Sequence, residues 1–160
     1  MSGITWVDEI LGFGNVDACA LTRREPWAVV HACKDPCHRA FVGYKGSLPK
    51  AHSCYLNAQE DDHLYLNLID PPLPLFKAES FSIFFDFIDR HLGVKPVVIH
   101  CNRGESRAPS LTLLVMAKRL KNIPDDSYAA ARAAFEEKFP YKPGGGISLF
   151  LRDNWGILGR

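Results

Sequence analysis

The chain has 160 residues, enough for one hydrophobic core and cramped for two, so residues 1–160 are expected to form a single domain. Nineteen basic residues against eighteen acidic ones leave a formal charge of +1. That balance excludes a broad electrostatic footprint for nucleic acid or an acidic membrane, so any affinity for anions must be local.

Met1 to Leu11 carries Asp8 and Glu9 and lacks a basic start followed by an apolar stretch, so no secretory leader is expected. No run approaches the ~20 apolar residues of a membrane span; "FSIFFDFI" is broken by Asp86. Five cysteines (Cys19, Cys33, Cys37, Cys54 and Cys101) are an odd number without an exported context, which points to a reduced, cytoplasmic setting. A monomer is expected.

In chain order, "ITWV" and "WAVVHAC" read as short strands, with Pro26 marking the turn before the second. Residues 34–62 are rich in turn formers, with room for one or two short strands around Phe41 and Cys54. "HLYLNLI" alternates as a strand does and runs into "DPPLP", which fits neither a helix nor a central strand. Phe81, Phe84, Phe85, Ile88 and Leu92 recur at helical spacing, Asp86, Asp89 and Arg90 lie off that stripe, and Gly93 suits a helix stop. "VVIH" is a continuous apolar run, as expected of a strand buried on both faces. "PSLTLLVMAKRL" is apolar nearly all round through Met116 and predicts a central, buried helix. "IPDDSYAAARAAFEEKFP" offers a cap cluster before a third helix ended by Pro140. After the "PGGG" break, Ile147, Phe150, Leu151 and Trp155 form a last helical stripe. The pattern predicts an α/β fold, with a central mixed sheet of about four to five strands flanked by helices.

The stretch "VVIHCNRGESRAPSL" carries the chemistry. A compact turn between a buried strand and a buried helix must aim its backbone N–H groups inward, and with the positive helix end these form an anion site. Gly104 lets the turn bend, and Arg107 adds a planar, two-pronged donor suited to two oxygens of one phosphate. Cys101, at the focus of that field, is favoured as thiolate and so as a nucleophile. A lone cysteine on a strand is usually a small core hydrophobe. The joint pattern of His100-Cys101, Gly104, Ser106-Arg107, a strand before and a helix after is much rarer.

"HCNRGESRAPS" resembles the signature loop of cysteine-based protein tyrosine phosphatases, and within them the compact dual-specificity branch. The resemblance runs from about Trp27 to Leu151 and includes "YKPGGGISLFL", similar to that family's turn into its last helix. It implies that Cys101 forms a phosphocysteine, that Arg107 binds phosphate and steadies the transition state, and that the amides of Asn102, Arg103, Gly104, Glu105, Ser106 and Arg107 complete the cradle. His100 would orient the loop through hydrogen bonds. The family's general acid is an aspartate roughly thirty residues before the cysteine, and Asp70, opening "DPPLP", stands at that distance. Asp61 and Asp62 compete for the role, but they precede the strand "HLYLNLI" and should lie at its opposite end. Pro71, Pro72 and Pro74 should stiffen the Asp70 loop.

One departure matters: family loops usually place Ser or Thr after the arginine, to stabilise the departing thiolate, and this chain has Ala108. Neither Ser106 nor Ser110 occupies the matching position, so slow phosphoenzyme breakdown is expected. Glu105 is unusual in an anion loop, and Arg103 should offset it at the rim.

"HACKDPCH" gathers His31, Cys33, Cys37 and His38, and "HSC" adds His52 and Cys54, all residue types that bind Zn²⁺. The spacing is loose, and the expectation is structural cysteines, surface histidines, no bound metal and no cofactor. The resemblance implies a phosphorylated protein as substrate, with phosphoinositide or RNA 5′ phosphates as alternatives within reach of related loops. A weakly catalytic phosphate-binding module is the rival from another class.

Overall fold

The computed structural model describes residues 3–22 and 26–160; Met1 and Ser2, where the leader reading begins, and residues 23–25 lie outside it. Among the described residues six strands form one mixed sheet. They are β1 (Ile4–Trp6), β2 (Leu11–Gly14), β3 (Ala28–His31), β4 (Asn57–Glu60), β5 (His63–Leu66) and β6 (Val97–His100). The order is β1-β2-β6-β3-β5-β4, with the outer pairs β1–β2 and β4–β5 antiparallel and the inner pairings parallel. Six strands exceed the four to five expected. The clear addition is "LGFG", whose glycines disguise a strand; "NAQE", a polar edge strand, falls within the stretch 34–62 that had room for one.

Parallel strands at the centre are covered on both faces, and β3 and β6 are buried at every position. Side chains alternate between faces along each strand. Val30, Leu64, Leu66, Val97 and Ile99 join the main core together with Phe13, Phe84, Leu113, Phe135 and Ile147. That face carries α3 (Ala78–His91), α4 (Arg107–Val115), α5 (Tyr128–Glu136) and α6 (Gly145–Asn154). The other face, presenting His31 and His100, meets α1 (Asp17–Thr22) and the segment from Lys34 through α2 (Arg39–Val42).

The helices follow the sequence pattern. Phe81, Phe84, Phe85 and Ile88 are buried on α3 together with Phe87, Asp86 and Asp89 are exposed, and Gly93 takes a left-handed φ of 85° just past the end. Ala108 to Val115 is buried on every side of α4, which continues through a π-type turn over Met116–Leu120. Ser127 caps α5, its Oγ accepting the N–H of Ala130 at 3.1 Å. Of the short strands expected around Phe41 and Cys54, one is found three residues past Cys54, as β4; Cys54 itself belongs to a run of turns and Phe41 to α2. No helix among the described residues is long and apolar enough to cross a membrane.

Candidate active site

Cys101 follows the last residue of β6 and is 2% exposed. Its own N–H is taken by Gly14 O of β2 at 3.2 Å. Its sulfur accepts the N–H groups of Gly104 at 3.3 Å and Ala108 at 3.4 Å, so the turn closes over Sγ with donors aimed inward. Gly104 has a φ of +72°, and a Cβ there would lie 2.9 Å from the backbone of Gly14; only glycine satisfies both constraints. Asn102 O accepts the N–H of Val16 at 3.1 Å, a second tie between this loop and the chain just after β2.

Arg107 begins α4 and is held from behind. Nη1 donates to Leu68 O at 2.9 Å and Ala32 O at 3.3 Å, and Nη2 donates to Asn102 Oδ1 at 2.7 Å. Its Nε is buried without a protein partner. The guanidinium thus lines a pocket of about 330 Å³ whose wall also includes Cys101, Asp70, Ser106, Lys142 and Gly144. Arg103 is exposed and Glu105 half-buried, and both line this pocket and an adjoining groove of about 520 Å³.

Asp70 lies past the C-terminal end of β5, which runs parallel to β3 and β6, so it reaches the same side of the sheet as Cys101. Ser106 Oγ donates to Asp70 Oδ1 at 3.1 Å and accepts the N–H of Gly144 at 2.9 Å. The glycines after Pro143 admit the Asp70 loop: a Cβ on Gly144 would sit 2.5 Å from Asp70 Oδ1, and one on Gly146 would sit 2.2 Å from Leu73 O. Asp61 and Asp62 occupy the β4–β5 turn at the opposite strand end. A bond from Lys95 Nζ at 2.8 Å holds the Asp62 carboxyl below its ordinary value.

The chain matches no protein-family model and no curated protein. Solved structures do match along nearly its whole length. It is similar to the PTP-2 phosphatase of Cydia pomonella, at 21% identity over 96% of this chain and 91% of that one, with a TM-score of 0.65. It is also similar to the human tyrosine phosphatase-like serine/threonine/tyrosine-interacting protein, at 17% identity over 98% of both chains and a TM-score of 0.64. Tk-PTP, solved in its active form, matches at 18% identity over 98% of both chains with a TM-score of 0.63. The chain has the fold of these phosphatase structures.

Within this phosphatase fold, the structure brings Cys101, Arg107, Asp70 and the loop from Asn102 to Ser106 around one pocket. The sequence reading missed Lys142 and Gly144 in the pocket wall and the link from Ser106 to Asp70. The "PGGG" break and the serine are visible signals, but nothing local says which loop packs on them. The hydroxyls near Ala108 are committed elsewhere. Ser110 Oγ bonds Tyr141 OH at 2.6 Å, Tyr141 OH also bonds Tyr128 OH at 2.8 Å, and Thr112 Oγ1 donates to Ala108 O at 2.9 Å. Burial pushes the Tyr141 phenol well above its ordinary value.

The residues read as a possible Zn²⁺ set are regrouped. His38 bonds Tyr44 OH and Cys54 O, each at 2.8 Å, and Cys33 and His52 stand apart from any cluster of metal-ligating atoms among the described residues. His31 and His38 are fully buried, which corrects the expectation of surface histidines. His31 faces His100, with Nδ1 to Nε2 at 2.7 Å, and Cys19 and Cys37 close around that pair. The His100 ring is therefore bonded on the sheet face that holds His31, and its Nδ1 is buried without a partner. No disulfide joins any cysteines among the described residues.

Proposed function

We propose that the protein hydrolyses phosphomonoesters through a phosphocysteine on Cys101, with phosphorylated protein as the substrate class. Cys101 Sγ attacks phosphorus while the ester P–O bond breaks, and Asp70 gives its proton to the leaving oxygen. Water then attacks phosphorus, Asp70 takes the water proton, and the S–P bond breaks to release inorganic phosphate and the thiolate. Arg107 Nε and the loop amides hold the equatorial oxygens through both steps. The observation that carries this reading is a sulfur buried under two inward N–H donors beside a guanidinium with a buried, unpartnered Nε. Ile69, Leu73 and Leu75 are exposed beside Asp70, an apolar margin suited to contact with a protein substrate.

Asp70→Asn tests the assignment through leaving-group dependence. For an alkyl phosphate, whose oxygen needs a proton to depart, kcat falls about 10²- to 10³-fold. For an aryl phosphate with an acidic phenol the loss is far smaller. Equal losses on both substrates would remove Asp70 from the acid role.

Ala108 supports slow release of the phosphoenzyme, because no neighbouring hydroxyl is available to the departing thiolate. Rapid-quench kinetics on wild type are expected to show a burst of leaving group followed by slow turnover. Ala108→Ser raises the steady-state rate about tenfold, in line with a hydrogen bond to a charged group. A single exponential without a burst would contradict this. Complete absence of turnover in wild type would leave a phosphate-binding module as the function.

A further inference from the structure

We propose that Cys19, His31, Cys37 and His100 form a structural Cys₂His₂ site for one Zn²⁺ ion, on the sheet face behind the phosphate loop. The four ligand atoms all lie within 4.8 Å of one another. Their spacing is close to that of a tetrahedral shell. Two sulfurs each ~2.3 Å from Zn²⁺ stand about 3.8 Å apart, and Cys19 Sγ to Cys37 Sγ is 3.9 Å. A sulfur and an imidazole nitrogen on one ion stand about 3.5 Å apart, against 3.7 Å for Cys19 to His31 and 3.8 Å for Cys37 to His100. The two imidazole nitrogens, 2.7 Å apart, are closer than a bound pair, and seating the ion parts them by about 0.6 Å.

The fold dictates this convergence. His31 and His100 are register partners on adjacent parallel strands, so both rings leave the same face of the sheet side by side. The helix carrying Cys19 and the turn carrying Cys37 cover that face. Two thiolates with two imidazoles in tetrahedral array select Zn²⁺ over harder cations. A second layer is also present. His31 Nε2 bonds His63 Nδ1 at 2.9 Å, the outer contact that fixes ring orientation and leaves Nδ1 for a metal, and Tyr65 stacks on His31 with ring centres 4.3 Å apart. A small pocket of about 210 Å³, lined by Cys19, Pro36, Cys37 and Phe41, leads in from the surface and supplies the entry path. Binding releases the thiol protons as the sulfurs become thiolates.

The ion would brace the phosphate loop from behind. The strand end and turn that supply ligands also hold that loop, through Asn102 Nδ2 to Asp35 O at 2.7 Å and Arg107 Nη1 to Ala32 O. The site takes no part in the phosphoryl chemistry, so it stands or falls independently of the proposed hydrolysis.

The test uses untagged full-length protein, purified under reducing conditions, exposed to Zn²⁺ and desalted before metal analysis. Wild type and Cys101→Ser are each expected to retain one Zn²⁺ per chain, and Cys19→Ser/Cys37→Ser to lose it. Retention by Cys101→Ser separates this site from adventitious binding at the loop sulfur. Wild type loaded with Co²⁺ is expected to show the intense visible bands of a tetrahedral ion and a near-ultraviolet thiolate charge-transfer band. Stripping the ion lowers Tm by about 5 °C or more. The spectrum and the Tm shift need only wild type, so the question is answered even if the double variant fails to fold. Trace metal in wild type with a faint octahedral Co²⁺ spectrum, or metal that disappears with Cys101, overturns the proposal.

Discussion

Cys101→Ser is expected to lower kcat for an aryl phosphate by about 10⁴-fold or more while leaving phosphate affinity nearly intact. The sulfur sits where the N–H groups of Gly104 and Ala108 converge. A serine oxygen at the same place keeps its proton at neutral pH and has no base in contact to remove it. The cradle, built from backbone and Arg107, remains. Steady-state rates, together with competitive inhibition by inorganic phosphate, separate the two effects. Equal rates for wild type and variant would mean that the pocket binds phosphate without turning it over.

Arg107→Lys carries the second-largest expected loss, about 10²- to 10³-fold in kcat, although the charge is kept. In the proposed role the guanidinium does two jobs at once: its Nη atoms are spent on Ala32 O, Leu68 O and Asn102 Oδ1, and its buried, unpartnered Nε would serve substrate. A lysine ammonium has three donors around one nitrogen and cannot face both directions. The loss should appear in kcat more than in KM, because a point charge still attracts the dianion but does not match the planar transferring group. A variant with wild-type kcat and raised KM would assign Arg107 to ground-state binding alone.

Much of this architecture is legible before any coordinates. The buried strand at Val97, the turn through Gly104 and the apolar helix after Pro109 all follow from local patterns whose partners are close in the chain. Asp70 is singled out only through the resemblance, which implies an acid roughly thirty residues before the cysteine; the parallel pairing of β5 then puts its strand end on the side of Cys101. What escapes is what depends on non-local packing. β2 carries two glycines in four positions, so neither alternation nor propensity marks it, yet Gly14 O holds Cys101 N. β4 is a polar edge and looks like loop. Cys19 stands alone in sequence, twelve residues from His31, and only strand register and helix placement bring it to the imidazoles. The cysteines and histidines that crowd "HACKDPCH" draw attention to Cys33 and His38, and the fold sends those two elsewhere.

The wall behind the sulfur has a practical meaning for anyone cutting the gene. The recognisable span starts near Trp27, yet Gly14 and Val16 each grip the loop, and Gly104 nests against Gly14. A fragment trimmed to the familiar-looking portion would discard the strands against which the Cys101 loop leans. Boundaries for expression should therefore be drawn upstream of β1, outside the stretch whose sequence carries the resemblance.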